Sequence, residues 1–527
     1  MQYRIECSKA APATPYARFW NRCVGAGRAN EGLRANWQEH LATVVEHCGF
    51  QYLRFHGLFH DDMCVYREDD EGRPVYNWQY VHDLFDRMLD RGIRPFVELG
   101  FCPRELASVE ATCFWWRGNG SPPTDYDQWA GLVDSFVRGC IERYGLAEVR
   151  RWYFEVWNEP NLSFFWTGTK REYFRLYQVS AETLKAIDPQ LRVGGPATSN
   201  FVPDARFDGE REDPSKHLTW SREDLNSLEW RAVWVEAFLA FCAEHALPVD
   251  FVSTHPYPTD FAIDPGGTVR GPRSRGADST RRDLQWLREL VDRSAFAQAE
   301  IHLTEWNSSP SARDHTHDYL QAATFIVKAN VESIGLVDSL AYWTFTDVFE
   351  EHRGGDAAFH GGFGLITFQG IPKPSFHAYR MLNRLGDELI RRDPGVIVTR
   401  QSTSGKLAAL CYHYPPEVPG APAISRPGRD VAEEIAATGS RARVEVALAD
   451  LRPGAALLIE VLDRAHGSAV ESWLAAGAPH SPGSALTGEL QRIAWTTRRT
   501  TQCADGRGRF EWASELEPWS VLLLREL

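Results

Sequence analysis

The sequence lacks the features that mark a membrane protein or a nucleic-acid-binding protein. No stretch of the 527 residues reaches the roughly 18 consecutive apolar residues of a membrane-spanning helix. The first residues, Met1 to Cys7, have no apolar core of the kind that a signal peptide carries. The formal net charge is −14 and basic residues form no stripe. This balance argues against nucleic acids and anionic membrane surfaces as partners.

Paired cysteine motifs are also missing. None of the ten cysteines is part of a C-x-x-C sequence, and most lie within apolar runs, as Cys140 and Cys242 do. Buried free thiols are typical of a reducing compartment. We therefore expect a cytoplasmic protein.

Several catalytic and cofactor motifs are absent or incomplete. No Gly-x-Ser-x-Gly sequence is present, so a serine hydrolase is unsupported. His315 and His317 are spaced as a metal pair, but no third ligand or second pair accompanies them. Gly25-Ala26-Gly27 lacks the further glycine and the acidic residue of a dinucleotide site, which favours a tight turn. The sequence therefore predicts no metal and no cofactor.

A repeating alternation of short apolar runs and longer segments with helical spacing extends from about residue 20 to residue 345. Trp129, Leu132 and Phe136, for example, share one helical face before Gly145 supplies a stop. Eight runs have the character of strands: Trp20–Val24, Tyr52–His56, Pro95–Leu99, Trp152–Trp157, Arg192–Pro196, Asp250–His255, Ile301–Trp306 and Leu340–Phe345. Eight β-then-α units predict a (β/α)₈ TIM barrel, with a doubly wound open sheet as the alternative.

After Gly395 the pattern changes to short strands separated by turns. Arg443–Leu448 alternates apolar and polar residues, whereas Leu457–Val461 and Val521–Leu524 have the character of buried strands. These runs predict a second, smaller β-sandwich domain, and the proline-punctuated segment Pro415–Arg429 predicts an extended loop. Gln2–Cys7 also has a strand pattern. The predicted division is residues 1–15 as a strand joining the accessory β domain, 16–360 as the barrel and 361–527 as the β-sandwich.

Two glutamates stand at the exits of predicted strands four and seven. Pro160 cannot continue a ladder, which places Glu159 at the rim, and Glu305 ends another apolar run. Strand alternation would put Glu155, Trp157 and Glu159 on one side. In such barrels the reacting groups lie at the carboxyl ends of the strands, so Glu159 and Glu305 are expected to face each other. Hydrolysis of a glycosidic bond needs a carboxylate pair of this kind. A salt bridge at the rim is the alternative for each residue.

Six strings in this order resemble one known family. They are Arg54-Phe55-His56-Gly57, Trp157-Asn158-Glu159-Pro160-Asn161, Asp250-Phe251-Val252-Ser253-Thr254-His255-Pro256-Tyr257, Leu303-Thr304-Glu305-Trp306-Asn307, Tyr342-Trp343-Thr344-Phe345 and Phe359-His360-Gly361-Gly362-Phe363-Gly364-Leu365. Over roughly residues 16–390 the chain resembles glycoside hydrolase family 39, in particular its bacterial β-xylosidases.

The resemblance implies roles for the matching positions. Glu159 would be the general acid/base, Glu305 the nucleophile, and Asn158 a contact to the sugar 2-hydroxyl. Further residues would bind the sugar, with Tyr257 also holding the nucleophile: His56, His255, Tyr257, Trp343, Glu350 and Glu351. Glu98 follows the same pattern at the end of strand three, but the family suggests no role for it, so structural pairing is expected.

The resulting expectation is an exo-acting, retaining glycoside hydrolase that releases β-D-xylose from the non-reducing ends of xylo-oligosaccharides. The alternatives are an enzyme of the same fold acting on arabinosides, glucosides or uronides, and a catalytically silent carbohydrate-binding protein. The expected partner is a small oligosaccharide or aryl glycoside. The sequence leaves a monomer and a homo-oligomer equally open.

Overall fold

A computed structural model describes residues 1–264, 266–424 and 428–527. Within it, eight parallel strands close into a barrel in chain order, and the eighth pairs with the first. Barrel strands one to eight are Cys23–Arg28, Tyr52–His56, Arg94–Leu99, Tyr153–Val156, Arg192–Ser199, Phe251–His255, Glu300–Trp306 and Ser339–Tyr342. The TIM barrel is confirmed, and the open-sheet alternative is wrong.

Helices surround the barrel, one after each strand. They are Ala35–Cys48, Gln79–Asp90, Tyr126–Tyr144, Lys170–Ile187, Val233–Glu244, Ser279–Arg293, Leu320–Glu332 and Pro374–Leu382, with a short Leu146–Val149 helix before strand four. In the helix Tyr126–Tyr144, the apolar spacing of the sequence corresponds to a buried helical face. The Asp125 side chain caps its first turn, and Trp129 and Phe136 are buried on its inner face.

The first barrel strand begins later than its apolar run suggests. Phe19–Asn21 forms a buried 3₁₀ turn, and the strand itself is Cys23–Arg28. The prediction of Trp20–Val24 was therefore wrong at both ends. The apolar side chains of Phe19 and Trp20 are buried in the main core and do not extend the strand.

Two further sheets stack into a sandwich. The larger contains, in spatial order, Thr14–Pro15, Glu388–Asp393, Val396–Arg400, Leu407–Tyr412, Val521–Glu526, Ala456–Leu462 and Arg498–Cys503. The smaller contains Gln2–Ser8, Ala442–Ala449 and Phe510–Leu516, with Gln2–Ser8 parallel to Ala442–Ala449. Apolar side chains of both sheets form one core, including Ile5, Val446 and Leu522. The division of the chain into domains at residues 15 and 360 stays a prediction.

The outer face of the central strands of the larger sheet is buried as well. Ile397, Leu410 and Leu523 belong to the same core as the barrel helices. A strand buried on both faces has a continuous apolar run, which explains the uninterrupted sequence of Val521–Leu524.

Smaller elements complete the described residues. Three helices that the sequence pattern did not indicate are Arg429–Ala437, Val470–Ala475 and Ser484–Trp495. Three hairpins extend from the barrel loops: Tyr66–Glu68 with Pro74–Tyr76, Thr112–Cys113 with Gly118–Asn119, and Thr259–Ile263 with Val269–Ser274. In the predicted loop Pro415–Arg429, residues 425–427 lie outside the described residues, and Gly428 is followed directly by a helix.

Two observations concern the cysteines and the possibility of a membrane-spanning helix. All ten cysteines are unpaired, with Cys64 and Cys503 exposed and the others buried. In the described part of the chain, no helix combines the length and apolar character that crossing a membrane requires.

Candidate active site

Arg54, on strand two, is fully buried and lies at the centre of a network at the strand tips. Its Nε donates to Glu155 Oε2 at 2.8 Å and its Nη1 to Glu305 Oε1 at 2.5 Å. Its Nη2 donates to Asn158 Oδ1 at 2.8 Å and lies 2.9 Å from a Glu98 oxygen. Buried charges are tolerated when they are paired and hydrogen-bonded. One guanidinium thus orders side chains from strands three, four and seven, and the expected pairing of Glu98 is confirmed.

The backbone bends where strand four ends. Trp157 has φ 72° and Glu159 has φ 46°, both in the left-handed region that residues other than glycine seldom adopt. Trp157 packs against Trp129 and Trp166, with ring centroids 6.1 and 4.9 Å away. The prediction that Trp157 shares a side with Glu155 and Glu159 was therefore wrong, because regular alternation stops at Val156.

Glu159 and Glu305 meet at the barrel mouth. One carboxylate oxygen of each lies within 4.8 Å of the other. Burial and the neighbouring Glu305 raise the pKa of Glu159 well above its ordinary value. Burial also raises the pKa of Glu305, but Arg54 and His56 oppose that shift. The two environments therefore favour a proton on Glu159 and a negative charge on Glu305.

His255 is the last residue of strand six and Tyr257 follows it, and the two side chains hold the two carboxylates. His255 Nδ1 lies 2.9 Å from Glu159 Oε1, and its Nε2 lies 2.8 Å from Thr304 Oγ1. The Tyr257 hydroxyl donates to Glu305 Oε2 at 3.3 Å. Tyr257 lines the cavity, whereas His255 is fully buried behind the carboxylates.

His56 and Trp343 form one wall beside Glu305. His56 Nδ1 lies 2.7 Å from Glu98, its Nε2 lies 3.4 Å from Glu305, and its ring centroid is 4.7 Å from that of Trp343. A Cβ added at Gly25 would lie 2.5 Å from the Trp343 ring. Gly25 is therefore needed for the close approach of strand one to this indole.

Glu350 and Glu351 differ in their surroundings. Glu351 lines the cavity, with Oε1 3.7 Å from His56 Nε2. Glu350 instead pairs with Arg28 at 3.0 Å and Arg34 at 2.7 Å. Any role of Glu350 in sugar binding would therefore be indirect, through Arg28 and Arg34, because Glu350 does not line the cavity.

The cavity that contains both catalytic candidates has a volume of about 540 Å³, within the roughly 300–1,000 Å³ range of small-molecule sites. Six phenylalanines line it, and four of them, here called the aromatic wall, come from the segments after strands four, five and six: Phe164, Phe165, Phe207 and Phe261. Phe114, from the segment after strand three, instead stacks on His56, with ring centroids 5.8 Å apart. Neither Arg54 nor this wall was predicted. An Arg two residues before His56 on an apolar strand was a usable signal for Arg54, whereas isolated phenylalanines in the long segments between barrel strands and helices gave none.

Glu159, His255 and Glu305 are also the one group of potential metal ligands that the described residues bring together, within 4.8 Å. The Arg54 guanidinium, at 2.5 Å from Glu305, already places a positive charge beside this group. That charge disfavours a cation there. His315 and His317 are not part of such a group; His315 Nδ1 lies 3.5 Å from Asp318, and His317 Nδ1 lies 3.2 Å from the Gly361 carbonyl oxygen.

The family model for "Glycosyl hydrolases family 39" matches residues 3–511. The chain belongs to this family. The resemblance seen in the sequence is therefore confirmed, and the protein is an O-glycosyl hydrolase. Membership extends past the barrel into both sheets of the sandwich, which the motifs alone did not reach.

Individual relatives agree with the family-39 assignment. A beta-xylosidase from Geobacillus stearothermophilus is 41% identical over 414 residues, covering 76% of this chain and 74% of its own. The crystal structure of a monomeric beta-xylosidase from Caulobacter crescentus CB15 has a TM-score of 0.84 at 31% identity, covering 99% of each chain. Alpha-L-iduronidase from Homo sapiens is 31% identical over 212 residues, 38% of this chain and 30% of its own.

Proposed function

We propose that this family-39 hydrolase releases β-D-xylose from the non-reducing ends of xylo-oligosaccharides with net retention, using Glu159 as general acid/base and Glu305 as nucleophile. The carboxylate pair supports this proposal above all. An oxygen–oxygen approach within 4.8 Å fits the carboxyl separation of about 5–5.5 Å in retaining enzymes better than the roughly 6.5–9.5 Å of inverting ones.

The two carboxylates act in sequence. Glu305 attacks the anomeric carbon while Glu159 gives its proton to the departing oxygen, which forms a glycosyl-enzyme. Glycosylation removes the negative charge of Glu305, one of the groups that raise the pKa of Glu159. The pKa of Glu159 then falls, and its carboxylate takes a proton from the attacking water.

The remaining side chains would bind the xylosyl ring. We assign Trp343 to the apolar face of the sugar, His56 and Glu351 to its hydroxyls, and Asn158 to the 2-hydroxyl. Asn158 Nδ2 has no hydrogen-bond partner among the described residues, so a donor is available for that contact.

Exo action is supported by the closure of one end of the cleft. The backbone N–H of Trp115, in the loop after strand three, donates to the Glu351 carbonyl oxygen at 2.8 Å. This bond joins the loops after strands three and eight beside the proposed sugar site. A chain continuing past the non-reducing end would have to displace it.

A uronide is the main rival substrate, because alpha-L-iduronidases are among the relatives. Hydrolysis rates on nitrophenyl β-xyloside, β-glucoside, α-arabinoside and α-iduronide decide between them. We expect β-xyloside to be the best substrate. Activity confined to the iduronide or glucoside would refute the choice of sugar without affecting the carboxylate roles.

We also propose a cytoplasmic location, because ten unpaired thiols, two of them exposed, are best maintained under reducing conditions. Fractionation of the native host, with the enzyme followed by its activity, tests this. Recovery outside the cytoplasm would refute it.

A further inference from the structure

The aromatic wall comes from the segments that follow strands four, five and six, and Glu159 stands at the end of strand four. Phe164 and Phe165 follow Glu159 within one loop, and the Asn161 side chain donates to the Ser199 carbonyl oxygen at 2.9 Å, which ties this loop to the end of strand five. The sugar-binding side chains stand around Glu305 instead. If Glu159 protonates the leaving oxygen, the aglycone extends toward the phenylalanines.

The aromatic wall surrounds its space with side chains that form no hydrogen bonds. The Phe164 and Phe165 rings pack at 4.1 Å, and Phe164 remains 55% exposed. A sugar can stack on one aromatic face, but its ring hydroxyls point outward and need partners. Burying them against phenylalanine would be costly.

The charged groups near the wall are largely engaged within the protein. Arg206 donates to Asp204 at 2.8 Å, to Asp260 at 3.2 Å and to the Phe261 carbonyl oxygen at 3.1 Å. Glu212 accepts from the Ser163 hydroxyl at 3.4 Å. Asn200 adds an amide to the lining, and Asn200 Oδ1 and Asp260 Oδ2 are buried without a hydrogen-bond partner among the described residues.

We propose that this aglycone site takes a flat apolar group, such as an aromatic ring, in preference to a second sugar. The protein would then act best on aryl-type glycosides. This inference rests on the proposed function, because it takes Glu159 as the acid. It does not depend on the identity of the sugar.

Non-hydrolysable thioglycosides test the site without the influence of leaving-group reactivity. We expect the inhibition constant of benzyl 1-thio-β-D-xyloside to be at least tenfold lower than those of methyl 1-thio-β-D-xyloside and S-linked thioxylobiose. Phe164→Ala should raise the benzyl value at least fivefold and leave the methyl value unchanged. Phe368→Ala is the matched control, because Phe368 is similarly exposed, at 52%, but does not line the cavity.

Thioxylobiose binding as tightly as the benzyl compound would overturn the proposal, as would an equal effect of Phe164→Ala on both monosaccharide inhibitors. Comparing benzyl with methyl thioglucosides, and benzyl with methyl thioarabinosides, separates the aglycone proposal from the choice of xylose. If xylosides fail to bind but benzyl still exceeds methyl on another sugar, the choice of xylose is wrong and the aglycone site stands.

Behind the cavity, a chain of hydrogen bonds independently connects Glu159 to Arg54. Glu159 Oε1 lies 2.9 Å from His255 Nδ1, and His255 Nε2 lies 2.8 Å from Thr304 Oγ1. The Thr304 hydroxyl donates to Glu155 Oε1 at 2.6 Å, and the other Glu155 oxygen accepts from Arg54 at 2.8 Å. All five side chains are buried.

We infer from this chain that Thr304 and Glu155 are positioning residues that fix the tautomer of His255 and thereby keep the acid proton on Glu159. A carboxylate paired with Arg54 offers only acceptors, so the Thr304 hydroxyl must donate to it. The Thr304 oxygen then accepts from Nε2–H of His255. In a neutral imidazole this leaves Nδ1 with a lone pair facing Glu159.

The surroundings keep the ring neutral. Burial, together with Arg54 and His56, lowers the pKa of His255 well below its ordinary value. The facing carboxylates are Glu159 and Glu305, 2.9 and 3.9 Å from Nδ1. An Nδ1 lone pair accepts a hydrogen bond from the protonated Glu159 carboxyl and repels its ionised form, so it raises the pKa of the acid.

Thr304→Val removes the hydroxyl and frees His255 to place its proton on Nδ1, where it would stabilise ionised Glu159. We expect the alkaline limb of kcat/KM to move to lower pH by at least half a unit. Rates on phenyl glycosides should fall at least tenfold more than rates on dinitrophenyl glycosides, which need little acid help. Thr304→Ser should restore both properties.

A shift below 0.2 pH unit with equal losses on both substrates would overturn this inference. Should Thr304→Val fail to fold, the wild-type protein still provides a test through ¹⁵N resonances of its histidine rings. The resonance pair that disappears in His255→Asn should show a non-protonated Nδ1 and a protonated Nε2. The opposite tautomer would contradict the proposal.

Discussion

The two sides of the cavity are built in opposite ways. Beside Glu305, polar groups on the strand tips are fixed by one another, with Arg54 bonded to Glu155, Asn158 and Glu305. Beside Glu159, the aromatic wall comes from the segments that follow strands four to six, and Phe164 is more than half exposed. The strands provide the precision that bond cleavage needs, and the loops provide a surface that can change without disturbing it.

The largest effect should come from the nucleophile and should not depend on the aglycone. Glu305→Ala is expected to lower turnover of every substrate by a factor of about 10⁴ or more, because no glycosyl-enzyme can form. Glu300→Ala is the matched control, since Glu300 lies at the other end of the same strand. Steady-state rates that fall less than tenfold in Glu305→Ala would show that the nucleophile has been misassigned.

In the proposed mechanism Glu159 protonates the leaving group, so the rate lost on removing Glu159 should depend on how readily that group departs. Glu159→Ala is expected to slow substrates with poor leaving groups by about 10²–10⁴-fold and dinitrophenyl glycosides far less. In the wild type, acid activity is lost as pH rises through the raised pKa of Glu159, and this limb should disappear in the variant. Added azide should yield a β-glycosyl azide. An α-azide would contradict retention.

The strand-tip network should matter for stability as well as for rate. Arg54→Met leaves Glu98, Glu155 and Glu305 without their shared cation, and we expect the free energy of unfolding to fall by about 3–5 kcal/mol. Arg94→Met serves as the comparison, because Arg94 pairs with Glu148 at 2.7 Å in a more exposed position. Its loss should cost about 1 kcal/mol or less. Urea unfolding measures both, and equal costs would argue against a special role for the network.

The smallest effect should come from the aromatic wall. Phe261→Ala is expected to raise KM for aryl glycosides severalfold with kcat little changed, because it removes apolar contact made equally in ground and transition states. Trp115→Ala should change neither constant, since Trp115 is 54% exposed and does not line the cavity. If the Trp115 variant showed the larger effect, the assigned border of the aglycone site would have to move.

The strand tips could be predicted because their signals are local. Glu159 and Glu305 end apolar runs and belong to recognisable strings, and counting runs placed them on strands four and seven. The position of Arg54 on an apolar strand was a signal, but its partners could not be predicted, since they come from three other strands and meet only when the barrel closes. Trp157 departs from the regular strand alternation because the backbone adopts positive φ angles there, and the sequence string does not predict those angles.

The accessory region was predictable in kind but not in detail. Alternation in Arg443–Leu448 indicated a half-buried strand, and the structure confirms one at Ala442–Ala449. The helix Val470–Ala475 is too short for its period to stand out, and it is stabilised by tertiary contacts such as that of Trp473 with Phe359.

The pairing of Gln2–Ser8 with Ala442–Ala449 has a consequence for how the molecule is made. Tyr3 aligns with Val444, and Lys9 forms an ion pair with Glu526 at 2.8 Å. During synthesis, Gln2–Ser8 leaves the ribosome long before Ala442–Ala449, so the two strands cannot pair until the whole barrel has been translated. Closing so long a loop is entropically unfavourable until much else has folded. The barrel can therefore assemble before the small sheet is completed.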